Sequence, residues 1–136
     1  MKTFKEFYAQ WELIQKIYHE NNDRETACEL MAELQIMFQE IGKGNWKIFC
    51  ELAETMDCGN SLPVLRSTYL MIEDYDKFFN NFGITEFAYC EESTATLQNI
   101  AEFLGLGWKV DVHAVDVYAY KWDEKTRKAI RFTKEG

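Results

Sequence analysis

Trp108-Lys109-Val110-Asp111-Val112-His113-Ala114-Val115-Asp116-Val117-Tyr118-Ala119-Tyr120-Lys121-Trp122 is the stretch on which the fold class turns. In its first half Trp108, Val110, Val112 and Ala114 alternate with Lys109, Asp111 and His113, and a period of two belongs to a strand. From Val115 the alternation slips, so that Val117 and Ala119 hold one face while Tyr118, Tyr120 and Trp122 hold the other. The run is far longer than the about 5–6 residues of an ordinary strand, which predicts a bulge or a break near residues 113–115. Asp123-Glu124-Lys125-Thr126 reads as a polar turn, and Lys128 to Thr133 returns as the partner strand with Ile130 and Phe132 on one face. Two strands alone are marginal. The hairpin is therefore expected to pack on helices, to recruit residues 84–90 as a third strand, or to pair with another chain.

Upstream the period is helical. Thr3-Phe4-Lys5-Glu6 fits a capping box, and Phe4, Phe7, Tyr8, Trp11, Ile14, Ile17 and Tyr18 follow at spacings of three and four. Asn21-Asn22-Asp23 ends this helix and caps the next. The second carries Ala27, Leu30, Met31, Leu34, Met37, Phe38 and Ile41, and stops at Gly42. A third helix is read over Trp46–Met56. A fourth is read from Ser61, with Pro63 in its first turn and Leu65, Tyr69, Ile72 and Phe79 along one face, closing at Gly83. Residues 84–90 are a strand or irregular. Ser93 or Thr94 caps a fifth helix through Leu97, Ile100, Ala101 and Leu104. The expected fold class is α+β: four to five amphipathic helices, then a C-terminal antiparallel β-hairpin or small three-stranded sheet. The whole chain of 136 residues reads as a single domain, with a helical body over about 3–104 and the hairpin over about 108–134.

The net charge is −8, and the acidic excess lies in residues 1–120. Residues 121–136 are locally basic, with Lys121, Lys125, Arg127, Lys128, Arg131 and Lys134 against Asp123, Glu124 and Glu135. So acidic a body repels phosphate, which disfavours direct nucleic-acid binding. It suits a basic protein partner, such as the nucleic-acid-binding face of another protein. No apolar run approaches the ~18 residues of a membrane span, and Met1-Lys2-Thr3-Phe4-Lys5-Glu6 lacks the apolar core of a signal peptide. A cytoplasmic location is expected. Cys28, Cys50, Cys58 and Cys90 contain no Cys-x-x-Cys pair and read as reduced thiols. His19 and His113 are far apart, so zinc is not expected, nor any other cofactor.

Chemistry is sparse. Asp111, His113 and Asp116 form the most site-like cluster, since Asp111 and His113 on one strand face the same way and a carboxylate can orient an imidazole. No nucleophile motif accompanies them. The turn Asp123-Glu124-Lys125 has the Asp-x-Lys form of a nuclease core, but in the wrong place. Gly42-Lys43-Gly44 and Gly105-Leu106-Gly107 follow helices rather than strands, which excludes a phosphate cradle. Tyr118, Tyr120 and Trp122, interleaved with cations, are the best candidate contact residues for a partner. Glu73, Asp74 and Asp76 form an acidic cluster that reads as a solvated face and a second candidate contact.

Residues Ser93-Thr94-Ala95-Thr96-Leu97-Gln98-Asn99-Ile100-Ala101-Glu102-Phe103-Leu104-Gly105-Leu106 resemble the closing helix of helix-turn-helix domains of the Cro/repressor type, in which a Thr-Leu-x-x-Ile-Ala-x-x-Leu-Gly string is common. The resemblance implies a transcriptional regulator or antitoxin. It lacks the upstream turn and a basic recognition helix, since residues 78–90 are aromatic and acidic to neutral. The preferred expectation is a non-enzymatic acidic protein-binding module of inhibitor, immunity or anti-defence type. The regulator is the alternative, and a small enzyme using Asp111 and His113 is the second. The exposed edge of the hairpin offers a route to a homodimer.

Overall fold

The computed structural model describes residues 2–111 and 113–135. Helix α1 spans Phe4–His19 and opens on the expected capping box: Thr3 Oγ1 accepts the Glu6 N–H at 3.4 Å, and Glu6 Oε1 accepts the Thr3 N–H at 3.2 Å. Helix α2, Arg24–Ile41, is capped by the Asp23 carboxylate, which accepts the Thr26 N–H at 3.2 Å. Helix α3 spans Asn45–Asp57. Just before it Gly44 takes φ +85°, a backbone conformation that favours glycine, and a Cβ there would also displace the tip of Leu70, 2.8 Å away.

The expected fourth helix is helical only in its second half; its first half is a two-residue strand and a loop. Residues 64–65 form β1 (Val64–Leu65), and α4 is only Ile72–Asn81. Pro63 and Ser61 mimic a helix start, but long-range bonds decide otherwise. The Pro63 carbonyl accepts the Ala88 N–H at 2.9 Å, the Leu65 carbonyl accepts the Cys90 N–H at 3.1 Å, and Thr55 Oγ1 accepts the Val64 N–H at 3.1 Å. These bonds draw residues 63–65 into a parallel ladder with β2 (Glu86–Tyr89), and α4 becomes the crossover between them.

The order of the sheet is β1-β2-β5-β3, with β4 also on β5. Strand β5 (Arg127–Thr133) runs antiparallel to β2 and also pairs with β3 (Lys109–Val110) and β4 (Val115–Val117). The long alternating stretch is thus broken where expected. Between the pairs Val110↔Phe132 and Val115↔Ala129 it advances five positions against three on β5, so two extra residues are accommodated. Val112, expected on the Trp108 face, lies outside the described residues. The other half of the stretch differs from expectation. Residues 118–126 are loop, not a strand leading into a tight turn, and Tyr118, Tyr120 and Trp122 share no strand face.

Helix α5, Thr96–Gly105, begins after Ala95 without a side-chain cap; Ser93 Oγ instead accepts the Ala95 N–H at 3.2 Å. Its inward residues are Asn99 and Phe103, whereas Leu97 is 81% exposed. Of the expected face Ile100 packs half-buried against the core, whereas Leu97, Ala101 and Leu104 are exposed; the face is rotated because the Asn99 amide finds polar partners inside. The segment before it is β2 and a loop rather than a helix, so the residues that resemble a repressor's closing helix do not sit in a helix-turn-helix.

One cluster of buried side chains draws on all five helices and one face of the sheet. Phe38 sits at its centre, 4.8, 4.5 and 5.4 Å from the rings of Phe7, Phe49 and Phe82. Phe87 and Phe132 stack at 5.2 Å and continue the core over the sheet. On the opposite sheet face Val64, Ala88, Val117 and Ala129 form a small second cluster. At about 1.5–3 kcal/mol for each large side chain buried, this aromatic core is the main stabilising force.

Candidate functional site

The parallel strands β1 and β2 end beside each other, and the chain leaving each one meets the 118–126 loop. Between them lies a cleft of about 560 Å³ flanked by Arg66, Ser67, Thr68, Glu91, Tyr120 and Arg127. Crevices at the carboxyl ends of parallel strands are common ligand sites. Here the polar groups around the cleft bond mainly one another. Glu91 accepts from Thr68 Oγ1 at 2.8 Å, Ser93 Oγ at 3.1 Å and Asn99 Nδ2 at 3.2 Å. Asn99 Nδ2 also donates to the Tyr89 hydroxyl at 2.9 Å. Glu51 reaches from α3 to accept both the Ser67 N–H at 3.1 Å and the Ser67 Oγ–H at 3.0 Å. Burial pushes the Glu51 carboxyl up to about 7, against the pull of the Ser67 bonds.

Residues 118–126 are loop in secondary structure, but hydrogen bonds tie them to their surroundings. Asn60 pairs with Tyr118 like a backbone group, accepting its N–H at 2.9 Å and donating to its carbonyl at 2.8 Å. Asp123 Oδ2 accepts the N–H groups of Ala119 and Tyr120 at 3.0 and 3.2 Å. The Arg127 guanidinium closes on both oxygens of the same carboxylate, at 3.2 and 3.0 Å, which holds Asp123 below the usual carboxylate range. Arg66 donates to the Ala119 carbonyl and to Glu54, each at 2.8 Å.

This scaffold presents two aromatic rings. Tyr120 and Trp122 stack at 4.6 Å with planes 10° apart, and the Arg66 and Arg127 guanidinium carbons lie 4.7 and 5.4 Å from the Tyr120 ring centre. Trp122 is 75% exposed. Tyr118 is half-buried and does not join the stack. Arg66 and Asn60, which organise this surface, carry no signal in the sequence, whereas the Asp123–Arg127 pair is visible as an acid and a base four apart.

The remaining candidates separate. Glu73 is exposed and Asp74 half-buried in the first turn of α4. Asp76 is not on a solvated face. It is buried, accepting the Trp108 indole N–H at 2.8 Å and the Lys134 ammonium at 3.0 Å. Asp111 does not orient the His113 ring; its carboxylate accepts the His113 backbone N–H at 2.9 Å inside the strand break, and the two residues do not share a strand face. Asp116 pairs with Lys128 at 2.8 Å. Among the described residues no group of three His, Cys, Asp or Glu side chains is placed to hold a metal ion, and no helix is long and apolar enough to cross a membrane. No family model matches this chain, and no curated protein or solved structure matches it.

Proposed function

We propose that this chain is a non-enzymatic protein-binding module, of the inhibitor, immunity or anti-defence kind, that engages its partner through the Tyr120–Trp122 stack. The observation that carries the reading is a 75% exposed tryptophan stacked on Tyr120, in a loop whose Ala119 and Tyr120 N–H groups are tied to Asp123. Tryptophan and tyrosine dominate binding energy at interfaces, and fixing them in advance removes part of the ordering cost of association. A large apolar ring kept in water contributes little to folding, so its ordered presentation is better explained by binding. The two arginines beside Tyr120 add donors for partner carbonyls or carboxylates at the rim, and Glu73 and Asp74 offer a separate acidic contact. The free cysteines are in keeping with a cytoplasmic setting for the module. Strand pairing between two copies is the weaker route, because β3 and β4 offer only two and three residues with a break between them.

The test is affinity capture from the source cells with wild-type protein and with Trp122→Ala, identified by mass spectrometry. The expected result is a stoichiometric partner retained by the wild type and lost by the variant, with unchanged circular dichroism. An identical captured set from both proteins would overturn the reading.

A further inference from the structure

Helices α1 and α2 pack side by side, and one flank of their contact opens outward as a groove lined by Gln10, Leu13, Ile14, Leu30, Leu34 and Met37. Its apolar lip is not covered. Leu13 is 57% exposed and Met37 38%. Ile41 continues the row of Leu30 and Met37 at helical spacing and is equally exposed. Beside this row runs a second one, Glu29, Glu33 and Glu40, displaced toward solvent and exposed at each position. Glu33 is itself part of the groove wall.

Two further observations bear on what fits there. Among the described residues, none of these three carboxylates has an ion-pair partner. Glu40 also stands in the last turn of α2, which carries no basic residue. A carboxylate beside the negative end of a helix dipole is unfavourable, and a cation brought there is stabilising. The groove therefore combines an apolar floor with an anionic border whose carboxylates have no ion-pair partner among the described residues. A second copy of this chain would bring the same glutamate row against itself, on a molecule whose net charge is already −8.

We infer that the α1–α2 groove receives a basic amphipathic helix from a partner protein. Apolar residues of the incoming helix, at spacings of three, four and seven, lie between Leu13 and the Leu30–Met37–Ile41 row. Lysines or arginines on its flank meet Glu29, Glu33 and Glu40 and complement the α2 terminus. This surface shares no residue with the Tyr120–Trp122 stack, so the inference stands on its own observations and names the chemistry of the partner element.

The probe is a synthetic amphipathic peptide of leucines at helical spacing with lysines on its polar face, together with a matched peptide carrying glutamate for lysine. Each is titrated into isotope-labelled protein and followed by amide chemical shifts. The expected result is saturable binding of the lysine peptide, with shifts along α1 and α2. Leu13→Ser with Met37→Ser, and separately Glu33→Gln with Glu40→Gln, should each weaken it by about tenfold or more, while Trp122→Ala leaves it unchanged. All these positions are exposed or at the lip, so the fold should survive. Absence of saturable binding, equal binding of the glutamate peptide, or indifference to both double variants would overturn the inference. So would loss of binding in Trp122→Ala, which would move the site to the loop. Dimerisation seen by sedimentation and abolished by Leu13→Ser, Met37→Ser would also overturn it, by making a second copy the occupant.

Discussion

The indole N–H of Trp108 donates to Asp76 Oδ1 at 2.8 Å, joining the middle of α4 to the residue just before β3. Both side chains are buried, and Lys134 reaches the same oxygen from beyond β5 at 3.0 Å. One carboxylate thus satisfies a buried indole and a lysine drawn in from the sheet. Asp76→Ala leaves the indole donor unpaired and is expected to cost about 2–3 kcal/mol, whereas Asp76→Asn keeps an acceptor and should cost about half as much. Urea denaturation of the two variants distinguishes them, and equal losses would mean that charge, not the indole bond, is what counts.

Glu51 makes stability depend on pH in an unusual direction for a carboxylate. Its folded value of about 7 lies above the ordinary 4.5 because burial outweighs its bonds to Ser67. The folded state therefore holds the proton more tightly than the unfolded state. Stability is full below the unfolded value and is lost as pH rises through the folded one. Glu51→Gln removes the ionisation and should raise stability by up to on the order of 3 kcal/mol at about pH 8.5, with no such gain at about pH 4. Denaturation curves at the two pH values check the difference, and a pH-independent effect would contradict it.

Asp123 and Trp122 are neighbours with opposite expected phenotypes. Trp122→Ala should change the melting temperature little, since an exposed ring away from the core is usually worth less than about 0.5 kcal/mol. Asp123→Ala frees two backbone N–H groups and the Arg127 guanidinium at once, and should mobilise residues 118–127. Amide hydrogen exchange confined to this segment is the readout. Protection unchanged in Asp123→Ala would show that Asn60 and Arg66 suffice to hold the loop.

Phe38 is fully buried against rings from α1, α3 and α4. Phe38→Ala should cost about 3–5 kcal/mol, a large share of the stability of a domain this size. Phe38→Leu, which keeps most of the volume, should recover much of it in thermal unfolding.

The four thiols should also react in a definite order. Cys28 is exposed on α2, whereas burial and nearby Glu54 push the Cys50 thiol up to about 12. Thiol labelling of the native protein at neutral pH should modify Cys28 first and Cys50 last. Rapid labelling of Cys50 would indicate opening of α3.

What could be seen in the sequence was what is local. The Thr3–Glu6 box, the Asp23 cap, the first three helices and the break in the 108–117 strand all follow from residues close in the chain. Strand β1 did not, because Val64 and Leu65 are too short a run to show a period and are fixed by bonds to Ala88 and Cys90. The orientation of α5 did not either, since an inward asparagine answers to Tyr89, Thr68 and Glu91 rather than to hydrophobicity. The aromatic contact residues were visible as a cluster, but their arrangement was not. Tyr120 and Trp122 stack because Asp123, Asn60 and Arg66 fold the loop under them. Asp76 was misread because an acidic triplet on a helix gives no hint that one member faces a tryptophan thirty-two residues later.

Strand β5 pairs with β2, β3 and β4, and it follows all of them in the chain. During synthesis the helical hairpin of α1 and α2 can close early on contacts already made. The sheet cannot, because β2 has no antiparallel partner and β3 and β4 have none at all until residues 127–133 have emerged. Until then Phe87 and Tyr89 lack the strand that completes their cover, and the nascent chain carries a sticky, unfinished surface. Assembly of this fold is thus expected to be late and abrupt, and a ribosome-stalled chain ending before residue 127 should be protease-sensitive throughout its sheet while α1 and α2 resist.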